Sequence, residues 1–433
     1  IYTLSLHDAL PILNQAYGFG TIELPNGGNI YTNTLNTIMK ASNLKPERKN
    51  AWEIGLDFRT FKNRLNLDVT YYKENTKDQI MEIATPWVSG ISTQLINAGN
   101  IQNQGIELAL NTIPFQNEDW EWGLDFTWTK NTSKIVELHP DAAEYISLAG
   151  QVNAYDYRIG SVAKVGGSYG MLMTDILPAR DDQGRVLLNY SDTRRAVYER
   201  RSGVVQELGD MQPDFLGSMS TSLRWKNLSL HVGLDMRIGG LVAMYSNRYG
   251  SNAGWTKTSL KYRDAASGGL TWTSQYAGGS NGITYEDGVI LEGVFAPGTS
   301  ATGIDGKSHD ISGMTHQQAI DAGIIEPTHA SAYHVFRNSW GEGVVNDDWV
   351  HELSYIALRD ITLSYRMPKS IASKIGAKGL NLSLAARNVG YIYNSLPNNV
   401  HPESVRGNRS AEFRIRGYEP YIRNYTFTIN AEF

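Results

Sequence analysis

From Trp120 to Lys130, apolar and polar residues alternate without a break. Trp120, Trp122, Leu124, Phe126 and Trp128 fall on one side of an extended chain, and Glu121, Gly123, Asp125, Thr127 and Thr129 on the other. A period of two predicts a strand with one apolar face. The run is about ten residues long, enough to cross a membrane as a tilted strand, whereas a soluble strand is typically about five or six.

The same alternation recurs along the chain. Trp52, Ile54, Leu56 and Phe58 lead through the turn at Phe61 to Arg64 into Leu65, Leu67, Val69 and Tyr71, which predicts a hairpin. Ile106, Leu108 and Leu110 pair with the Trp120 run through residues 114–119. Met219, Thr221, Leu223 and Trp225 pass through Lys226-Asn227 into Leu228, Leu230, Val232, Leu234, Met236 and Ile238. Ile361, Leu363 and Tyr365 pass through a compact basic turn, residues 368–379, into Leu380, Leu382 and Leu384. Ile356 and Leu358 run in the opposite phase to Ile361, which predicts a bulge near Arg359. Tyr421, Arg423, Tyr425, Phe427, Ile429, Ala431 and Phe433 form a last alternating run, making about nine strands in all.

Long connections separate the hairpins: residues 75–103, 131–213 and 239–348. The second holds strand-like pieces at 169–176 and 185–188 around an Asp181-Asp182-Gln183-Gly184 turn. The third opens on Gly239-Gly240 and contains a short helix from Thr315, stopped by Gly323. Connections that alternate short and long are the habit of transmembrane barrels, with brief periplasmic turns and extended outer loops. The final strand then ends in the periplasm.

Alternation alone does not say which face is buried, since a β-sandwich has the same period. Three features favour lipid on the apolar side. The polar side carries Gly, Thr, Ser and Asn with its charges, as a wet channel would. Trp120, Trp128, Tyr71, Tyr365 and Tyr421 sit near strand ends, like interfacial girdles. Apart from Arg423, near a strand end, the apolar faces hold no charge.

Composition narrows the classes. With 39 Lys+Arg against 44 Asp+Glu in 433 residues, there is no electrostatic footprint for nucleic acid. The absence of cysteine removes disulfides and thiolate chemistry, and no apolar run is long enough for a transmembrane helix. Residues 1–13 fit neither a secretory signal nor the alternating pattern of the rest of the chain. They resemble translated sequencing-adapter read-through and are expected to be a non-native or disordered leader to a partial barrel at 14–433.

A specific likeness begins at Leu44-Lys45-Pro46-Glu47. It runs through Glu53-x-Gly55-x-Asp57-Phe58, Asn63-Arg64, Tyr71-Tyr72 and Thr76-Lys77-Asp78-x-Ile80 to Asn97-Ala98-Gly99-x-Ile101-x-Asn103-x-Gly105-x-Glu107. It continues in Gly209-Asp210-x-x-Pro213-Asp214-Phe215-x-Gly217, in Tyr355-x-x-Leu358-Arg359-Asp360-Ile361-x-Leu363-x-Tyr365-x-x-Pro368, in Ala386-Arg387-Asn388 and in the aromatic final residue. Together these resemble the SusC/RagA family of TonB-dependent outer-membrane transporters of Bacteroidetes-type bacteria. One departure is His401-Pro402-Glu403, where the family often reads Asp-Pro-Glu.

The resemblance implies the C-terminal part of an antiparallel barrel of about 22 strands. A plug and TonB-contacting region would lie upstream, so this chain alone is expected as an open sheet. It also implies import of glycan oligomers or peptides beneath a SusD-like lipoprotein lid, with no cofactor. The barrel-assembly machinery would read a C-terminal signal at Tyr425, Phe427, Ile429 and Phe433. Two alternatives stay open: a siderophore- or vitamin-type receptor without a lid, and a secreted β-sandwich that binds carbohydrate.

Candidate chemistry is sparse. Gly166-Gly167-Ser168-Tyr169-Gly170 matches a nucleophile motif that needs a strand-to-helix elbow, and no helix pattern follows it. His309, His316, His329 and His334 have no zinc-ligand spacing and read as solvated loop residues. Asp181 to Gly184 reads as a plain turn. Tyr249, Trp255, Tyr262, Trp272, Tyr276, Tyr285 and Trp340 crowd the longest loop. Their faces suit a sugar, a peptide or a lid protein, and equally suit packing the loop on itself.

Overall fold

The computed structural model describes residues 17–25, 27–35, 38–41, 43–84, 93–140, 144–150, 152, 158–191, 195–201, 204–276, 280–338, 346–405, 411–417 and 420–433. Residues 1–13 and Trp340 lie outside them. Nine long strands form one antiparallel sheet, each paired with the next in sequence. They are β1 (Arg48–Thr60), β2 (Leu65–Ala84), β3 (Thr93–Gln116), β4 (Trp120–Leu138), β5 (Phe215–Trp225), β6 (Leu228–Ile238), β7 (Tyr355–Arg366), β8 (Gly379–Asn394) and β9 (Asn424–Glu432). A short strand, Ile38–Lys40, adds in parallel against Thr93–Leu95 of β3. The sheet is open, with β1 and β9 at its edges.

Register aligns the apolar positions into rows. One row runs Phe115, Trp122, Leu223, Leu230, Leu363, Leu384, Phe427 from β3 to β9. Trp120 and Trp225 stack at the short-turn end, with ring centroids 5.7 Å apart. The buried cores lie elsewhere. Trp122 keeps 41% exposure, Ile54 68% and Phe427 64%, whereas Ile135 higher in β4 has none. Leu124, Phe126 and Trp128 are half-buried and belong to none of the buried clusters. No second layer among the described residues covers this face, so the β-sandwich alternative falls.

The connection expected at 75–103 is mostly strand. β2 and β3 are 20 and 24 residues long and stay paired up to Ala84↔Thr93. β4 likewise runs eight residues past Lys130 to Leu138. At about 3.4 Å per residue these strands are roughly twice what a tilted crossing needs. Their upper halves therefore extend beyond the crossing, where backbone pairing persists and a few apolar residues pack on the next connection, but no strict alternation is selected. This is why the polar composition reads as loop. The last strand errs the other way: it starts at Asn424, and Tyr421 packs instead on Tyr391 and His401, at 5.2 and 5.0 Å between ring centroids.

The turns match expectation. Phe61, Lys62 and Asn63 take left-handed backbone angles in the first hairpin, and Lys226 does so in the third. The bulge falls on Arg359: Gly233 pairs with Asp360 and Leu234 with Leu358, which leaves Arg359 unpaired between them. The helix is His316–Asp321, its Thr315 cap bonded to the Gln318 N–H and Gln318 reaching back, with Gly323 beyond it at φ 67°. A hairpin at Tyr17–Glu23 and Asn29–Leu35 is an addition to the expected strands, although Asn26-Gly27 is a standard hairpin-turn pair.

Gly105 explains one motif residue. Tyr72 pairs with Gly105, and its ring crosses that glycine so that its hydroxyl donates to Asn131 Oδ1 at 2.9 Å, one strand further. A Cβ at Gly105 would sit 2.5 Å from the Tyr72 hydroxyl and from the Lys130 carbonyl. Gly105→Val is therefore expected to destabilise the folded full-length protein by about 1–3 kcal/mol, seen as a lower melting temperature in detergent.

Candidate functional site

The face opposite the apolar rows is a ladder of polar side chains bonded across strands. Asn111 Nδ2 donates to Asp125 Oδ1 at 2.8 Å, and Ser220 Oγ donates to Asp125 Oδ2 at 3.1 Å. Thr127 and Ser218 hydroxyls meet at 2.7 Å. Gly233 leaves room for the Asp360 carboxylate, whose oxygen would lie 2.5 Å from a Cβ there, and Asp360 faces His231 Nε2 at 3.3 Å. Such a row tolerates water and offers no catalytic constellation.

The Arg359 bulge anchors the loop before β9 to this face. Arg359 Nη2 bonds Asp235 Oδ2 at 2.6 Å and Glu403 Oε1 at 2.8 Å, while Nη1 donates to Glu403 Oε2 at 2.8 Å. The guanidinium holds the Glu403 carboxyl below the usual carboxylate range. Tyr391 donates to Glu403 Oε2 at 2.9 Å. His401 caps the short helical turn Pro402–Ser404, its Nδ1 accepting from the Glu403 N–H at 3.1 Å. An aspartate carboxylate could accept that same bond. The departure from Asp-Pro-Glu thus substitutes one capping acceptor for another.

The lead-in motif is a clamp. Lys45 N–H donates to Asn97 Oδ1 at 2.7 Å, and Asn97 Nδ2 donates to the carbonyls of Lys45 at 2.8 Å and Asp78 at 2.6 Å. Glu47 accepts from the Ile80 N–H at 2.7 Å, beside Asp78 at φ 57°. Glu47 and Asn97 therefore satisfy backbone groups that the irregular β2–β3 register leaves unpaired.

Above the apolar band, hydrophobic residues change face. Ile101 and Ile135 pair with each other on the side that carries Asn103 and Glu107 lower down. They pack with Ile146 and Ala163 of the next connection, and the Ile135 backbone bonds Gly166 and Gly167. The outer connections so pack against the inner side of the extended strands. They also share a core with one another. Leu187–Ser191 takes a parallel partner from Val294–Phe295 of the following connection, and Leu188, Phe295, Ile311 and Ile325 are essentially fully buried.

This core sorts the candidate aromatics. Tyr276 is buried with its hydroxyl 2.9 Å from that of Tyr190, and Tyr262 packs edge-on against Tyr333 at 5.6 Å. Both serve the loop's own packing. Trp272 stacks on Tyr285 at 5.1 Å and leans on His329, half-exposed. Tyr249 is exposed, and Trp255 is 86% exposed.

The histidines correct an expectation. Their spacing predicts solvated loop residues, but His316 is fully buried and its Nδ1 accepts from the Leu291 N–H at 3.0 Å. His334 is buried with Nε2 2.8 Å from the Lys261 carbonyl. His329 pairs with Asp287 at 3.1 Å and His309 with Asp305 at 2.8 Å. Partners elsewhere in the same connection, most of them dozens of residues away and invisible to local sequence, make the difference. Burial pushes the His316 pKa down to about 4. Its folded value lies below its unfolded one, so stability is full near neutral pH and declines as pH falls from about 6.5 towards 4. Limited proteolysis of the outer loops is expected to accelerate across that window in the native protein and less so in His316→Leu.

Among the described residues no group of His, Asp and Glu forms a metal site. Gly166 to Gly170 turns between two strands, Ile159–Lys164 and Tyr169–Thr174, without a nucleophile elbow. Asp181 is a turn residue whose Oδ1 accepts from the Gln183 and Arg185 N–H groups.

Against known proteins, the family described as "TonB dependent receptor-like, beta-barrel" matches residues 9–389. TonB-dependent receptor P3 of Formosa agariphila is 22% identical over 414 residues, 90% of this chain and 34% of the relative. TonB-dependent receptor SusC of Bacteroides thetaiotaomicron is 22% identical over 224 residues, 50% of this chain and 22% of SusC. The structure of the RagAB peptide transporter superposes with a TM-score of 0.59 at 16% identity, over 96% of this chain and 38% of its counterpart. That last likeness is one of fold. The chain spans about a third of the length of P3 and of the RagAB counterpart.

Proposed function

The chain belongs to the TonB-dependent receptor-like β-barrel family of outer-membrane proteins, and from that premise we propose that it forms the C-terminal wall and outer loops of an importer for glycan oligomers or peptides. The family's members are transporters and not enzymes. The reading has residues 14–433 as partial barrel, completed by upstream strands, a plug and a TonB-contacting segment. A SusD-like lipoprotein closes the outer mouth. The observation that carries it is the unbroken nine-strand wall with interlocked outer loops, alongside similarity to SusC and to P3. Deleting the full-length gene should abolish growth on one class of oligomer and spare growth on its monomers. Unchanged growth on every glycan and peptide tested would sink the reading.

Within this proposal the exposed Tyr249 and Trp255 meet the lid, and Trp272 with Tyr285 offers a stacking face to cargo. Buried Trp anchors dominate protein interfaces. Trp255→Ala is expected to lower co-purification of the lipoprotein about tenfold or more without changing barrel assembly. Tyr425, Phe427 and Ile429 of the edge strand β9, with Phe433 just beyond it, then act as the assembly signal.

A further inference from the structure

Residues 366–379, which join β7 to β8, carry Arg366, Lys369, Lys374 and Lys378 and no acidic residue. The two short turns nearest it in the sheet compensate each other. Lys226 lies 3.8 Å from Asp119, and Arg224 lies 3.3 Å from Glu121. Lys378 Nζ donates to the Phe433 carbonyl at 2.8 Å, but no carboxylate among the described residues pairs with Arg366, Lys369 or Lys374.

The turn is also built inside out for water. It folds as a helical turn, Lys369–Ala372, continued by a tighter one, Ser373–Ile375, and closed by Gly376 at φ 77°. Ala372 and Ala377 are buried against the protein, whereas Ile371 and Ile375 are 43% and 55% exposed. A water-facing turn should show the reverse, with the large apolar residues inside. The turn follows β7, whose last apolar-row residues Leu363 and Tyr365 are also exposed.

We infer that this turn is a membrane-surface anchor whose partner is the anionic phospholipid of the leaflet facing the periplasm. Ile371 and Ile375 enter the boundary of the acyl chains. The ammonium groups of Lys369 and Lys374 and the Arg366 guanidinium meet headgroup phosphates. The charge and the apolar pair are on the same short segment, at the level where the lipid-facing wall ends. The inference rests on the membrane placement of the wall and not on any cargo, so uptake assays do not bear on it.

The test uses the full-length protein in phosphatidylcholine vesicles with or without phosphatidylglycerol. An environment-sensitive fluorophore is placed at Ile375→Cys, with Ser370→Cys as a second position should the first fail to assemble. The expected result is quenching by doxyl-labelled lipid, little quenching by aqueous iodide, and stronger lipid quenching with phosphatidylglycerol. Lys369→Gln with Lys374→Gln should lower the preference for phosphatidylglycerol, by up to about fivefold per lysine. Quenching mainly by iodide would overturn the anchor, and shielding from both quenchers would assign the turn to a protein partner instead. A gain that inorganic phosphate alone reproduces would reduce it to a simple anion site.

Discussion

Leu124→Arg in the full-length protein is expected to prevent most of its assembly into the outer membrane, while Thr127→Arg, three residues away on the same strand, is expected to assemble nearly as the parent does. Leu124 lies between Trp122 and Phe126 on the apolar face, opposite Thr112 of β3 and Thr221 of β5. An arginine at the middle of a lipid-facing strand costs roughly 2–4 kcal/mol. Thr127 is on the other face, where its hydroxyl meets Ser218 at 2.7 Å. Losing that contact costs about 1 kcal/mol, and the new guanidinium points into water. Membrane fractionation with heat-modifiable migration reads both variants in one experiment. Equal loss in both would mean that the faces have been assigned wrongly.

The second large effect is at Arg359. Arg359→Ala should free the loop before β9 and destabilise the outer end of β7 to β9 by about 1–2 kcal/mol, since each partly exposed ion pair is worth about 1 kcal/mol or less. The guanidinium is 25% exposed and its Asp235 and Glu403 partners 39% and 38%, so solvent screens both pairs. Removing the guanidinium leaves Asp235 and Glu403 without the cation that bridges them. Arg359→Lys supplies one ammonium in place of a two-sided fork, so it should recover only part of the loss. Protease sensitivity between residues 395 and 423 is the readout. The double variant Arg359→Ala with Glu403→Gln should be less sensitive than Arg359→Ala alone, because it also removes an uncompensated charge.

The wall was legible because two physical demands act on the same residues. Hydrocarbon on one side and water on the other force a strict alternation, and it is complete in Trp120 to Trp128 and in β6. Even the Arg359 bulge was readable, since one extra residue must reverse the phase between Leu358 and Ile361. Where only one demand acts, the pattern fades. Lys73 to Met81 is strand above the band where hydrocarbon and water face each other, and its contacts there are mixed: Glu74 pairs with Lys49 whereas Met81 is buried in a small core. The outer loops were illegible for another reason. Leu188 and Phe295 pack across separate connections, and His316 meets Phe295 and Leu291 from distant parts of its own, so no local window contains the information that buries them. The charged fork at Arg359 left only a faint sequence signal, an Arg in the strand and a Glu 44 residues later. The family motifs marked its members without saying that they touch.

One measurement addresses the direction of the apolar face most directly. Spin labels at Leu124→Cys and Thr127→Cys in the full-length protein, reconstituted in lipid, report collision with oxygen, which concentrates in hydrocarbon, or with a water-soluble nickel complex. The account predicts oxygen-dominated relaxation at position 124 and nickel-dominated relaxation at position 127. The opposite pair of results, or shielding of position 124 from both reagents, would contradict it.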